Sequence, residues 1–190
     1  MARSVFNQNF IVLALASTVL VSPGWAAGFA LSSKDLAPGA PIAQRFVFKG
    51  FGCDGGNLSP ALEWHDPPSG TRSYALTVFD PDAPTGSGWW HWVVVNLPAD
   101  AAGLPTGAGA ASGADLPSGS QQVRTDFGSP GYGGPCPPPG HGPHRYVFTV
   151  YALKVPKLEL PADATAALAG FMINANSLGS ATLTRTYERK

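Results

Sequence analysis

The sequence predicts a mainly β fold of two packed sheets with a short helix near the C-terminus. Glycine and proline, 23 and 19 of 190 residues, interrupt the chain at short intervals and leave little room for long helices. Between the interruptions lie short runs rich in β-branched and aromatic residues, the side chains that suit a pleated, half-buried surface. Several of these runs are apolar almost throughout, as strands covered on both faces are.

Taken along the chain, strands are expected at residues 44–48, 73–79, 90–96 and 145–153, each bounded by Pro, Gly or Asp. The runs around Val78, Val94 and Val150 are the ones with no polar face, and two packed sheets explain them best. Residues 163–175 read as a helix, because Pro161 precedes them, the first turn is acidic, and Leu168, Phe171 and Met172 form one stripe. A last short strand is expected at residues 180–187. Residues 103–119 are mostly Gly, Ala, Ser and Pro, and residues 128–143 contain Pro137-Pro138-Pro139. Both read as loops. No self-similar period marks a repeat protein.

With 44% hydrophobic and 13% charged residues, the chain can bury one substantial core and has too little length for two, so residues 27–190 are expected to form one domain. Basic and acidic residues number 12 each, which leaves no basic footprint for the phosphates of nucleic acid. At the N-terminus, Arg3 precedes an apolar run over residues 10–21, and Gly24 and Ala26 supply small residues for a cut after Ala26. Residues 1–26 therefore read as a signal peptide, and the protein as periplasmic or secreted. The run is shorter than the roughly 20 residues a membrane-spanning helix needs, so no integral membrane association is expected. Cleavage removes one arginine and no acid, which leaves no polybasic membrane adhesion. Cys53 and Cys136 are the two cysteines, and a pair in an exported protein reads as a disulfide, with two buried small hydrophobes as the alternative.

Three stretches carry the chemistry. Asp80 and Asp82 sit in Asp80-Pro81-Asp82-Ala83-Pro84-Thr85-Gly86 at the end of an apolar strand, where proline stiffens the turn. An Asx turn, with Asp80 capping backbone amides, is an equal reading. His91 lies between Trp90 and Trp92, and strand alternation puts it on a different face from both. The stiff loop that ends at His144 puts that imidazole at the mouth of a strand, with Tyr146 facing the same way. Imidazoles donate hydrogen bonds to phosphate or carboxylate oxygens. Arg145 faces away from His144 and suits a surface ion pair.

Together these segments resemble the phosphatidylethanolamine-binding protein family, in particular its bacterial Raf-kinase-inhibitor-like branch. The resemblance rests on Asn57-Leu58-Ser59-Pro60-Ala61-Leu62-Glu63-Trp64, on Asp80 to Thr85 with Gly86-Ser87-Gly88-Trp89-Trp90-His91-Trp92, on Thr125-Asp126-Phe127-Gly128 and on Gly142-Pro143-His144-Arg145-Tyr146. It implies an antiparallel, Greek-key-like two-sheet β-sandwich with one or two short helices near the C-terminus. It also implies a small pocket that accepts phosphate, a carboxylate or a phospholipid head group, lined by Asp80, His91, Pro138 and His144, with Trp89 and Tyr146 as walls. Cys136 stands where animal relatives have glycine, so kinase inhibition does not transfer with the fold.

The expected role is an exported binder of small anions or head groups that regulates or inhibits a protein partner; a homodimer is compatible with it. No cofactor or metal is expected. Two carboxylates beside an anion require a protonated histidine, a neutral carboxyl or compensating hydrogen bonds, so affinity is expected to fall as pH rises. The alternative is a hydrolase that uses the Asp/His pair as acid and base, against which stands the lack of a Gly-x-Ser-x-Gly nucleophile motif. A zinc site built from His141, His144, His91 and Asp80 is the other rival, weakened by the loose spacing and by the glycines flanking His141.

Overall fold

Three long strands, buried over most of their length, organise the molecule, which we describe from a computed structural model covering Met1 and residues 28–190. The expected signal peptide, residues 1–26, otherwise lies outside the described residues. The strands are β1 (Ala30–Ser32), β2 (Lys49–Gly50), β3 (Cys53–Asp54), β4 (Leu62–His65), β5 (Ser73–Asp80), β6 (Trp89–Pro98), β7 (Gly103–Leu104), β8 (Gln121–Gln122), β9 (His144–Leu153) and β10 (Ser177–Tyr187), with helix α1 (Ala166–Asn176) before the last. Five of them form an antiparallel sheet in the order β10-β9-β5-β6-β8, three form a second in the order β1-β4-β7, and β2 pairs with β3. The mainly β, antiparallel architecture matches the expectation.

The central strands are buried on both faces, as their apolar runs predict, but the two covers differ. On one face Tyr74, Leu76, Val78, Trp92, Val94, Tyr146, Phe148 and Val150 pack against Leu31, Leu62, Trp64 and Leu104 of the small sheet. On the other face Ala75, Val93, Val95 and Leu153 pack beneath Ala166, Ala169 and Ile173 of α1. A second sheet covers one side and a helix the other.

Three sequence expectations need correction. Residues 44–48 are not a strand: Gln44–Phe46 form one 3-10 turn, closed by Phe46 N–H to Ala43 O at 2.9 Å and Val47 N–H to Gln44 O at 3.1 Å. Phe46 and Val47 are consecutive and both fully buried. The helix starts at Ala166 rather than Asp163, where Thr165 caps it by accepting from Leu168 N–H at 3.2 Å, so the acid lies ahead of the first turn. Its buried face is Ala166, Ala169 and Ile173, whereas Leu168 and Phe171 are exposed. The helix is apolar on nearly every side, so period alone selects no face. Packing in one cluster with Val93 and Val95 selects Ala166, Ala169 and Ile173.

The third correction concerns β6. Val78 pairs with Trp92 and Phe79 with Trp90, so His91 is an extra residue in the ladder, a β-bulge. The bulge puts the flanking tryptophans on opposite faces: Trp92 joins the core between the sheets, and Trp90 packs on the helix side. Alternation had placed both on one face. The short strands β1 and β4 lie outside the expected ones, although Leu62 and Trp64 inward with Glu63 and His65 outward is a legible, if brief, alternation.

Cys53 and Cys136 form a disulfide across 83 residues, which ties the β2–β3 hairpin to the loop before β9. In the chain-entropy account, closing a loop of that length removes about 4–5 kcal/mol from the unfolded state. Urea unfolding with and without reductant is expected to show most of that difference, and a loss below about 1 kcal/mol would remove the disulfide as a major staple. The helix packing makes a second prediction. Ala169→Leu, at a fully buried site, is expected to cost about 1–3 kcal/mol by overpacking. Phe171→Ala on the outer face is expected to change thermal stability by no more than about 0.5 kcal/mol.

Candidate functional site

A hollow of about 170 Å³ opens at one end of the five-stranded sheet, where β5 stops and β6 and β9 begin. Asp80 is the last residue of β5 and pairs with Trp89, the first of β6; His144 is the first residue of β9. The antiparallel pairing brings these three ends together. Asp80, Trp89, His91, Pro138, His144 and Tyr146 all line the hollow, so six of the seven positions singled out in the sequence converge there.

Asp82 does not. Its carboxylate is held outside by Arg145, with Nη2 at 2.7 Å from Oδ1, and Nε and the Arg145 backbone N–H each at 2.9 Å from Oδ2. These hydrogen bonds from Arg145 are the chief reason that the Asp82 carboxyl is pushed down to about 2. The turn between β5 and β6 is therefore pinned to β9 by a forked ion pair. Asp80 also makes the Asx contact, accepting from Asp82 N–H at 2.8 Å through Oδ1. Gly88 closes this turn at φ +72°, with Phe79 and Asp80 O so near that a Cβ would lie 2.3 and 2.7 Å from them.

The remaining polar atoms are largely used within the protein. Asp80 Oδ2 accepts from His144 Nδ1 at 2.7 Å, and both side chains are buried. His144 Nε2 lies 2.7 Å from Nδ1 of His141, an exposed residue. Both ring nitrogens of His144 are thus engaged. His91 Nδ1 lies 2.6 Å from the carbonyl oxygen of Gly133. A carbonyl accepts only, so the proton sits on Nδ1 and Nε2 carries the lone pair. Burial pushes the His91 imidazole down to about 4, with the Gly133 carbonyl and the Asp80 charge opposing. Tyr146, 1% exposed, has a hydroxyl with no hydrogen-bond partner among the described residues, and burial pushes its phenol up.

The walls are apolar and stiff. Phe127 meets the rings of Trp89 and His91, each at 5.4 Å between centroids, and Phe51 stands 69% exposed at the rim. Phe51 carried no sequence signal, since it sits in a turn of the β2–β3 hairpin. The chain that supplies the Gly133 carbonyl is held by Asn57, whose Nδ2 donates to Tyr132 O at 3.1 Å and whose Oδ1 accepts from Gly134 N–H at 2.8 Å. Gly134 runs so close to residues 46–48 that a Cβ would lie 2.1 Å from Phe46 O. Arg189 clasps both rims: its guanidinium donates to Phe51 O and Gly52 O at 3.1 and 2.9 Å, and its carbonyl accepts from Gly140 N–H at 3.0 Å. Among the described residues, no group of three or more His, Cys, Asp or Glu side chains is arranged to hold a metal.

Comparison with known proteins agrees with this fold. The family model described as phosphatidylethanolamine-binding protein matches residues 32–188. The chain is 51% identical to the UPF0098 protein YbcL of Escherichia coli over 165 residues, which is 87% of this chain and 90% of YbcL. It is 51% identical to YbhB of the same organism, over 83% of this chain and 98% of YbhB. To the putative lipoprotein LppC of Mycobacterium tuberculosis it is 39% identical, over 83% of this chain and 71% of LppC. The crystal structure of E. coli YbcL, described as a member of the mammalian PEBP family, superposes with a TM-score of 0.84, covering 86% of this chain and all of that one. The chain belongs to the phosphatidylethanolamine-binding protein family.

Proposed function

We propose that the protein is an exported binder of a small oxyanion, free or as the phosphate of a head group, and that the hollow between the ends of β5, β6 and β9 is its binding site. The observation that carries this reading is Tyr146, which lines a preformed, mostly apolar cavity and has a buried hydroxyl without a hydrogen-bond partner among the described residues. A buried O–H without a partner costs about 1–3 kcal/mol, which a ligand oxygen recovers. Rigid proline, disulfide and guanidinium supports around the rim keep the entropic cost of binding low. Export is favoured by the apolar leader and by the disulfide, which an oxidising compartment preserves. Regulation of a protein partner fits the same rim, where Phe51 is exposed.

Acid–base hydrolysis in the same hollow is less well supported. A catalytic base needs a free ring nitrogen; His144 has both of its nitrogens in protein hydrogen bonds, so the Asp80–His144 pair cannot serve, and the free Nε2 of His91 has no side-chain carboxylate on its other ring nitrogen, which donates to the Gly133 carbonyl. The Thr85 hydroxyl donates to Gly88 O and is not poised as a nucleophile.

Tyr146→Phe separates a binding role from a structural one. It is expected to leave the free protein as stable or up to about 2 kcal/mol more stable in urea unfolding, since an unsatisfied hydroxyl is removed. Inorganic phosphate, titrated calorimetrically, is expected to bind at least about tenfold more weakly to the variant. Unchanged affinity would take the site away from this hydroxyl. Asp82→Asn is expected to leave phosphate affinity within about twofold, because the carboxylate lies outside the hollow. Its cost should appear in stability. The Asp82 carboxyl is lower in the folded protein than its ordinary 3.8, so the contribution is present above that value and disappears as pH falls through about 2. The gap between wild type and variant in denaturant midpoint is accordingly expected to close on acidification from pH 5.

A further inference from the structure

The side chains around the hollow leave an uneven set of hydrogen-bonding groups for a ligand. On β5, Asp80 has both oxygens occupied, by Asp82 N–H and by His144. On β9, His144 is saturated by Asp80 and His141, while Tyr146 keeps a free O–H. On β6, Trp89 has no hydrogen-bond partner for its indole N–H among the described residues, and His91 turns its proton to Gly133 O and leaves Nε2 as an acceptor. Asp126, whose Oδ2 accepts from Trp90 N–H, adds a further negative charge near His91. Asp82 and Arg145 neutralise each other at the margin.

A fully ionised oxyanion consists of acceptors alone. Placed in this hollow it gains the Tyr146 hydroxyl but sets an oxygen against the His91 lone pair, close to the carboxylate of Asp80. One proton on the ligand reverses that contact from repulsion to a hydrogen bond and removes one unit of charge.

We infer that the hollow selects oxyacid ligands that bring their own proton, such as a phosphate monoester monoanion, whose P–OH donates to His91 Nε2 while another oxygen accepts from Tyr146 O–H. This inference rests on the proposed binding role and specifies the ligand state that role uses. The imidazole itself is held down to about 4, so across pH 5–8 it stays an acceptor and the titrating proton belongs to the ligand. A phosphodiester, which has no such proton, is a poor ligand unless a neighbouring N–H⁺ supplies one.

Calorimetric titration between pH 5 and pH 8 with methyl phosphate, methylphosphonate and dimethyl phosphate, in a buffer free of oxyacids, tests this. A phosphate monoester loses its second proton near about pH 6, so methyl phosphate is expected to weaken roughly a hundredfold over that range. The midpoint for methylphosphonate, which holds its second proton more tightly, is expected to shift upward by the difference between the two ligands' own ionisation constants. Dimethyl phosphate, which stands for a lipid phosphodiester, is expected to bind at least tenfold more weakly than methyl phosphate at pH 5. A midpoint that stays at one pH for both titrating ligands would mean that a protein group carries the proton and would overturn the inference. So would dimethyl phosphate binding as tightly as methyl phosphate at pH 5, which would also point to a diester ligand. If none of the three binds at any pH, the binding role itself fails together with the inference.

Discussion

The antiparallel pairing of β5 with β6 on one side and β9 on the other is the constraint from which the site follows. It ends three strands at one edge of the sheet, so Asp80, Trp89 and His144 meet there from positions far apart in sequence. Register then decides which side chains face the hollow. His144 and Tyr146 share a face with Phe148 and Val150, and the site is a continuation of the core between the sheets. The bulge at His91 is the one break in that register near the site, and it lets an imidazole enter the hollow while Trp90 and Trp92 serve two different cores.

The surroundings of the hollow serve rigidity more than charge. Proline at 137 and 138, the Cys53–Cys136 bridge and the Arg189 clasp hold the rims. The Asp82–Arg145 fork and the Asx contact hold the turn. Asn57 holds the strand-like segment whose carbonyl sets the His91 tautomer. Most polar groups near the hollow are satisfied inside the protein, as buried polar groups must be, and the Tyr146 hydroxyl is a fully buried exception. The resulting site is apolar, with a few placed hydrogen-bonding groups, which is the usual composition of a small-molecule pocket.

This arrangement changes what the proposed anion site rests on. From the residues alone, two acids and two imidazoles suggest a balance of charges decided by histidine protonation. In the folded protein Asp82 is neutralised by Arg145, His144 is closed off by Asp80 and His141, and His91 is an acceptor. For the proposed ligand, what remains is recognition by hydrogen-bond pattern in a mostly apolar cavity, where one misplaced lone pair matters more than net charge.

Composition and local pattern determined the fold class. Glycine and proline spacing left little room for long helices, and the apolar runs around Val78, Val94 and Val150 marked the buried strands, because apolar content reports burial wherever the covering element comes from. Motif content also marked Asp80, His91, Pro138 and His144, which stand beside prolines or aromatic residues in unusual contexts. Three outcomes belonged to tertiary structure. The buried face of α1 was set by packing in one cluster with Val93 and Val95, since an all-round apolar helix encodes no direction. The placement of Phe51 depended on a disulfide and an arginine that are distant in sequence. The roles of Asp82, His141 and His91 depended on the atoms opposite each side chain. A residue's type limits the hydrogen bonds it can make, but only the folded chain decides which partners use them up and which atoms are left for a ligand.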